Sequence, residues 1–299
     1  MAVVYIQRCN KAGSYFLNEI PAYIFCGGGY FMVTKNSPIG VLDSGVGGLT
    51  TVNELLKTLP NENIIYFGDN KNVPYGNKTQ DEIINLTRRM IEFLISKDVK
   101  VLAVACNTIS TIIDYISKDY DIKILKIIDP VVNNIKNIEK KDKVGLIATN
   151  FTINSGYYDK MLSGVKLLKQ GSPELAAIVD SGYINKEEIK DIIKYHINKI
   201  LTQDEVNSII LGCTHYPIIK DLFEECYPNI NFVDPAYHQA KVVKDYLKKN
   251  NLLREENINP KLEIYTTGEI EKYDLIMKML SMETPYEIYE YDRVLDYSY

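Results

Sequence analysis

Tryptophan is absent from this 299-residue chain, histidine occurs three times and cysteine five times. So sparse and odd a set of cysteines argues against a disulfide scaffold. It points instead to a reducing, cytoplasmic setting in which thiols stay free. Zinc takes three or four ligands at short recurring spacings. Here His196 lies in a helical stretch and His238 stands apart from Cys213-Thr214-His215, so no metal site is expected. No Lys/Arg run offers a nucleic-acid footprint, and 34 basic against 39 acidic residues leave a net charge of −5. Nor does any stretch approach the ~20 mostly apolar residues of a membrane span. The nearest, Phe16 to Val33, is broken by Asn18, Glu19, Pro21 and Gly27-Gly28-Gly29. Arg8 and Lys11 precede that stretch as in a secretory signal, but no clear small-x-small cleavage site follows. Cys26 also lacks the small residue that precedes a lipoprotein cysteine. Residues 1–37 are set aside as an extension, expected to be disordered or to reflect a mis-called start, since Met32 lies just ahead of the first clear element.

What is present is an ordinary globular composition, 46% hydrophobic and 24% charged, at a length that suits two domains. From Ile39 onward short apolar runs alternate with helical patterns. Ile39–Asp43, Ile64–Phe67, Val99–Ala105 and Lys123–Ile128 read as strands. Leu49, Val52, Leu55, Leu56 and Leu59 mark a helix stopped by Pro60, and Thr79-x-x-Glu82 is a capping box opening a helix to about Lys97. An Ile-rich helix is expected near Ile109 to Ile116. Near-continuous apolar strands between helices indicate parallel sheets covered on both faces.

The pattern then restarts. Val144–Thr149 resembles Ile39–Asp43, with Gly145 lying 105 residues after Gly40. Ile209–Thr214 resembles Ala103–Thr108, with Cys213 lying 107 residues after Cys106. Two anchors at nearly one spacing imply two related α/β lobes, with no Pro- or Ser-rich linker between them, packed around a shared cleft.

In open parallel sheets ligands bind beyond the carboxyl ends of the strands. Asp43-Ser44-Gly45-Val46-Gly47-Gly48, Gly68-Asp69 with Pro74-Tyr75-Gly76, Cys106-Asn107-Thr108 and Cys213-Thr214-His215 all fall there. Taken singly, each has a plainer reading. The glycine turn has neither P-loop nor dinucleotide spacing and can be tight packing alone. A lone cysteine is more often an inert buried thiol, and a Cys106–Cys213 redox pair is also open, though without C-x-x-C spacing. Cys9, Cys26 and Cys226 read as structural or incidental, and the Tyr-rich tail from Tyr286 to Tyr299 as a solvated edge. Together, however, the motifs set one thiol from each lobe at a common cleft. Two weak acids on opposite faces of one carbon are what inversion at a stereocentre without a cofactor requires. A thiol, with an unperturbed pKa of roughly 8.5, is accessible in both protonation states near neutrality. His215 is the natural proton partner of Cys213, and Asp43 can serve near Cys106.

These motifs, in this order, resemble those of the aspartate/glutamate racemase family, and within it the glutamate racemases. The likeness runs from about Pro38 to about Leu280. It includes Asp43–Gly48, Tyr66–Asp69, Pro74–Gly76, Ala105–Thr108, Gly212–Pro217 and Thr266–Gly268. It implies two pseudo-two-fold-related, doubly wound α/β lobes with parallel sheets and the active site in the cleft between them. The first lobe would comprise residues 38–130 with about 236–285, and the second residues 131–235, followed by a tail at 286–299. The resemblance implies Cys106 and Cys213 as acid/base residues, the first taking the proton of the D isomer and the second that of the L isomer. Asp43 and His215 match assisting positions. Ser44, Pro74, Tyr75, Gly76, Asn107, Thr108 and Thr214 match substrate-binding ones. Asp180 stands where the family carries a glutamate that supports the histidine, one methylene shorter. Thr149-Asn150-Phe151-Thr152 and Ser172-Pro173 also depart from the family's Thr-x-Gly-Thr and Cys-Pro. Cofactor-free glutamate racemisation for peptidoglycan, by a homodimer, is the implied function. Aspartate or broader amino-acid racemisation is an alternative, as is a non-catalytic binding or regulatory protein on the same fold.

Overall fold

The computed structural model describes residues 22–26, 29–139, 142–182, 185–255 and 260–291. Most of the expected extension, residues 1–21, lies outside these, as do residues 292–299. Within the extension β1 (Ala22–Cys26) and β2 (Gly29–Val33) pair antiparallel as a separate hairpin. Aromatic and β-branched residues flanking a glycine cluster are a hairpin pattern.

The larger sheet is built from β3 (Ile39–Asp43), β4 (Ile64–Gly68), β5 (Val101–Val104), β6 (Ile124–Lys126), β11 (Leu262–Thr266) and β12 (Tyr286–Glu290). These run parallel in the order β12-β11-β4-β3-β5-β6. The smaller contains β7 (Lys143–Ala148), β8 (Lys166–Gly171), β9 (Ser208–Gly212) and β10 (Asn231–Val233), parallel in the order β10-β9-β7-β8. Both repeat one winding: the second strand lies on one side of the first, and the third and fourth on the other. The order therefore reverses between β3 and β5 in one sheet and between β7 and β9 in the other, the places where parallel sheets bind ligands.

Alternate strand residues feed opposite faces. Val41 and Tyr66 join Leu49, Val52 and Leu55 of the Leu49–Thr58 helix, together with Val243 and Leu247 of the Pro235–Lys249 helix. Leu42 and Phe67 meet Ile83, Met90 and Leu94 of the Gln80–Ile95 helix on the other face. That helix opens with the Thr79–Glu82 capping box, both of its reciprocal hydrogen bonds being made. The repeat extends to packing. Gly40 pairs with Leu102, and an added Cβ would sit 2.8 Å from that leucine; Gly145 pairs with Ile209, and an added Cβ would sit 2.7 Å from it.

Three local expectations are corrected. The segment from Ile109 is not a continuous helix but an α-turn, Asn107–Ser110, followed by 3-10 turns at Ile113–Tyr115 and Ser117–Asp119. Its run of Ile and Thr is β-branched and stiff at χ1, which weakens helix formation. The strand expected over Lys123–Ile128 is only Ile124–Lys126, because Ile128 already starts a helix with Pro130 in its first turn. Tyr286–Glu290, expected as a solvated edge in a separate tail, is an edge, but as a strand of the larger sheet fully paired with β11.

Lys100 and Glu62 form an ion pair whose side chains are 0% and 2% exposed. Glu62 also accepts the Arg254 N–H, and Lys100 also donates to the Lys35 and Leu252 carbonyls. Glu62→Ala strands a buried cation, so chemical denaturation should show a loss of about 3–5 kcal/mol. A loss below about 1 kcal/mol would show that water reaches the ammonium group.

Candidate active site

Asp43 ends β3, and two local bonds shape the turn after it. Its Oδ1 accepts the Gly45 N–H at 2.9 Å, and the Tyr66 hydroxyl donates to the Gly45 carbonyl. The glycines that follow are needed for close approach. A Cβ at Gly47 would lie 2.5 Å from Thr214 Oγ1 and 2.7 Å from His215 Nδ1. The first lobe's turn thus lies directly against the second lobe's Cys213-Thr214-His215 segment. Across this contact Thr214 donates to Asp43 Oδ2 at 3.2 Å, and Thr50 donates to the Thr214 carbonyl at 3.4 Å.

The two candidate thiols follow the third strands of their sheets and are 5% and 7% exposed at Cys106 and Cys213. Cys106 Sγ lies 3.5 Å from Ser44 Oγ, and Cys213 Sγ lies 3.7 Å from His215 Nδ1. His215 Nε2 faces Asp180 Oδ1 at 3.3 Å. The environments differ in sign. Burial, reinforced by the Asp43 charge and by Cys213, pushes the Cys106 thiol up to about 12. Burial works against a charged His215, but bonds and charges from Asp180 and Cys213 outweigh it and raise the imidazole to about 10. One thiol is therefore held protonated, while the other lies beside an imidazole held charged near neutrality. Asp43, fully buried, is driven up to about 6 by desolvation despite the opposing pull of His215 and its hydrogen bonds.

Of the remaining residues named from sequence, Asn107 and Thr108 lie beside Cys106. Asn107 Oδ1 accepts from Tyr158 at 2.8 Å, whereas its buried Nδ2 has no protein partner. Thr108 Oγ1 lies 3.0 Å from Thr149 Oγ1 and 3.2 Å from Thr152 Oγ1, a three-hydroxyl cluster drawn from both lobes. Gly76 brings its backbone against Thr149, where an added Cβ would sit 3.3 Å from that side chain. Tyr75 is buried but turns its hydroxyl to Asp69 Oδ2 at 2.6 Å, and Pro74 is exposed on the loop. Asp69 also accepts from Asn72 and Thr267, which fastens this loop to the strand ends. Among the described residues no three His, Cys, Asp or Glu side chains converge as metal ligands.

Residues 39–242 match the sequence model of the Asp/Glu/hydantoin racemase family. The chain belongs to that family. It is 36% identical to glutamate racemase 1 of Caldanaerobacter subterraneus subsp. tengcongensis over 247 residues, 80% of this chain and 90% of that protein. It is similar to the crystal structure of glutamate racemase isoform RacE1 from Bacillus anthracis, at 31% identity and TM-score 0.79, covering 85% of this chain and 98% of that one. Glutamate racemase from Francisella tularensis, solved in complex with D-glutamate, is 32% identical with TM-score 0.77, covering 86% and 98%.

Sequence reasoning did not single out several residues at this racemase-family site. Thr149 and Thr152 were visible only as a departure from a motif, although a Thr capping a helix at the end of a strand was a usable signal. Asn70 and Lys272, which approach Asp180 from the first lobe, carried none.

Asp43 supplies a pH test. A carboxyl raised to about 6 takes up its proton as pH falls through that value, whereas an ordinary Asp stays ionised to near 4. The kcat/KM for racemisation should therefore show an acid limb near pH 6, and Asp43→Asn should lower the plateau and remove the limb. An unchanged limb in the variant assigns it to another group.

Proposed function

We propose that this protein is a glutamate racemase, an isomerase that interconverts L- and D-glutamate by two-base proton transfer and so supplies D-glutamate for peptidoglycan. The observation that carries this reading is the pairing of two buried thiols at equivalent turns of two sheets wound alike, with the turns of the two sheets in direct contact through Asp43 and Thr214. From L-glutamate the Cys213 thiolate takes the α-proton, the electron pair passes into the carboxylate as an enediolate, and the Cys106 thiol protonates the opposite face. From D-glutamate the roles reverse. His215 balances charge on Cys213, and Asp43 and Ser44 serve Cys106.

The polar groups suit a dicarboxylate. The unpartnered Asn107 Nδ2 can donate to one carboxylate beside Cys106. The Thr108, Thr149 and Thr152 hydroxyls offer donors for the other, with Gly76 closing that side. Burial keeps bulk water from exchanging the sulfur-bound protons. The reaction draws on the chain's own acids and bases and uses no cofactor. The reading carries with it a cytoplasmic enzyme working as a homodimer. No helix among the described residues is long and apolar enough to cross a membrane.

In D₂O, early turnover should place deuterium at the α-carbon of the product while recovered substrate stays protiated. Equal labelling of recovered substrate would mean a single base. Cys106→Ser and Cys213→Ser should each lower racemisation by about 10³-fold, a hydroxyl being a far weaker acid than a thiol. A chiral assay with glutamate and aspartate side by side should show glutamate preferred; faster turnover of aspartate would make this an aspartate racemase.

A further inference from the structure

Asp180 is the carboxylate partner of His215 among the described residues of the second lobe, yet it is not held by that lobe alone. It closes the Pro173–Asp180 helix, and its Oδ1 stands 3.3 Å from His215 Nε2. A tight charge-assisted hydrogen bond is about 2.7–2.9 Å long, so the imidazole by itself leaves the carboxylate room to turn. Two donors from the first lobe fill out its coordination. Asn70 Nδ2 reaches Oδ1 at 3.5 Å, and Lys272 Nζ faces Oδ2 at 3.5 Å.

Both are fixed in their own lobe. Lys272 belongs to the Ile270–Met279 helix, whose Tyr273, Ile276 and Met277 are buried in the core of the larger sheet. The hydroxyl of Tyr273 donates to Asn70 Oδ1, which aims the Asn70 amide group at Asp180. The other anion near Lys272, Glu269, is 73% exposed and 3.9 Å away, so Asp180 is the nearer and more buried partner. Burial alone would favour the neutral Asp180 acid. The His215 and Lys272 bonds and charges outweigh it and hold the carboxyl below its ordinary value. A continuous line of contacts therefore runs from a helix of one lobe through Asn70, Lys272 and Asp180 to His215 and Cys213 of the other. Asp43 and Cys106 face the same imidazole–thiol pair from the first lobe, and Tyr216 faces it from its own.

We propose that Lys272 and Asn70 are positioning residues for the His215–Cys213 pair, so that the second lobe's proton carrier is fully assembled only when the first lobe is docked against it. The inference rests on the racemase reading for its purpose, but not for its test. Lys272, with a side chain 33% exposed, acts mainly by fixing the carboxylate, since its charge is partly screened by water. With Asp180 turned, the imidazole loses its orientation toward the Cys213 sulfur.

The test reads thiolate directly, without substrate. Full-length protein is treated with iodoacetamide at neutral pH, and peptide mass spectrometry follows Cys106, Cys213 and Cys226 in the same sample. Cys226, partly exposed on the Lys220–Cys226 helix, is the internal reference. Relative to Cys226, Lys272→Met should slow alkylation of Cys213 about threefold, through loss of thiolate, with Cys106 changing less. Lys272→Arg should restore the wild-type ratio. An unchanged Cys213 rate in Lys272→Met would overturn the proposal, and so would a parallel change at Cys106 and Cys213. The latter would make Lys272 a clamp on lobe opening. Neither outcome bears on whether the protein racemises glutamate, which the labelling experiment decides independently.

Discussion

A fully buried carboxylate, Asp43, is the constraint around which the molecule is organised. An anion removed from water must be given hydrogen bonds or give up its charge. Here the donors come from two places: the Gly45 backbone and Ser44 hydroxyl in its own turn and the Thr214 hydroxyl of the opposite lobe. The glycine turn, the docking of the two lobes and the protonation of Cys106 are therefore one problem. Without Thr214 in place, the carboxylate loses the donor that crosses the lobe junction. Without the carboxylate, the neighbouring thiol loses the charge that helps keep it protonated.

The two halves repeat a winding but not a chemistry. Gly40 and Gly145 make the same close strand contacts, and the cysteines follow equivalent strands. Around them the side chains diverge. Cys106 sits with a hydroxyl and an anion, whereas Cys213 sits with an imidazole raised to about 10. Under the proposed two-thiol mechanism, one sulfur gives a proton while the other takes one. Interconverting two enantiomers of equal free energy still requires both states, so proton transfer in one direction prepares the enzyme for the other.

The sequence made legible whatever depends on local pattern. The fully buried runs Ile39–Asp43 and Ile64–Gly68 are parallel strands because nothing in them tolerates a solvated face. Thr79 and Glu82 announce a helix start through bonds confined to one turn. The paired glycines and cysteines revealed the repeat because close strand packing admits few substitutes. What escaped depends on partners distant in the chain. Tyr286–Glu290 is a strand only because β11 lies beside it. The Tyr75 hydroxyl turns to Asp69, a choice made by loop geometry. Lys272 looks like any helical surface lysine until folding brings Asp180 within 3.5 Å of it.

The strand β12 has a consequence for solubility. Among the described residues it pairs only with β11, so one row of its peptide groups is left unpaired, a template on which another chain could add. Its sequence, Tyr-Glu-Ile-Tyr-Glu, would otherwise suit such stacking, being aromatic and β-branched at three of five positions. Glu287 and Glu290 place negative charge on opposite faces of this short ribbon, so a second copy approaching edge to edge meets like charge on both sides. Like charge at the border of the sheet thereby disfavours fibrous self-association.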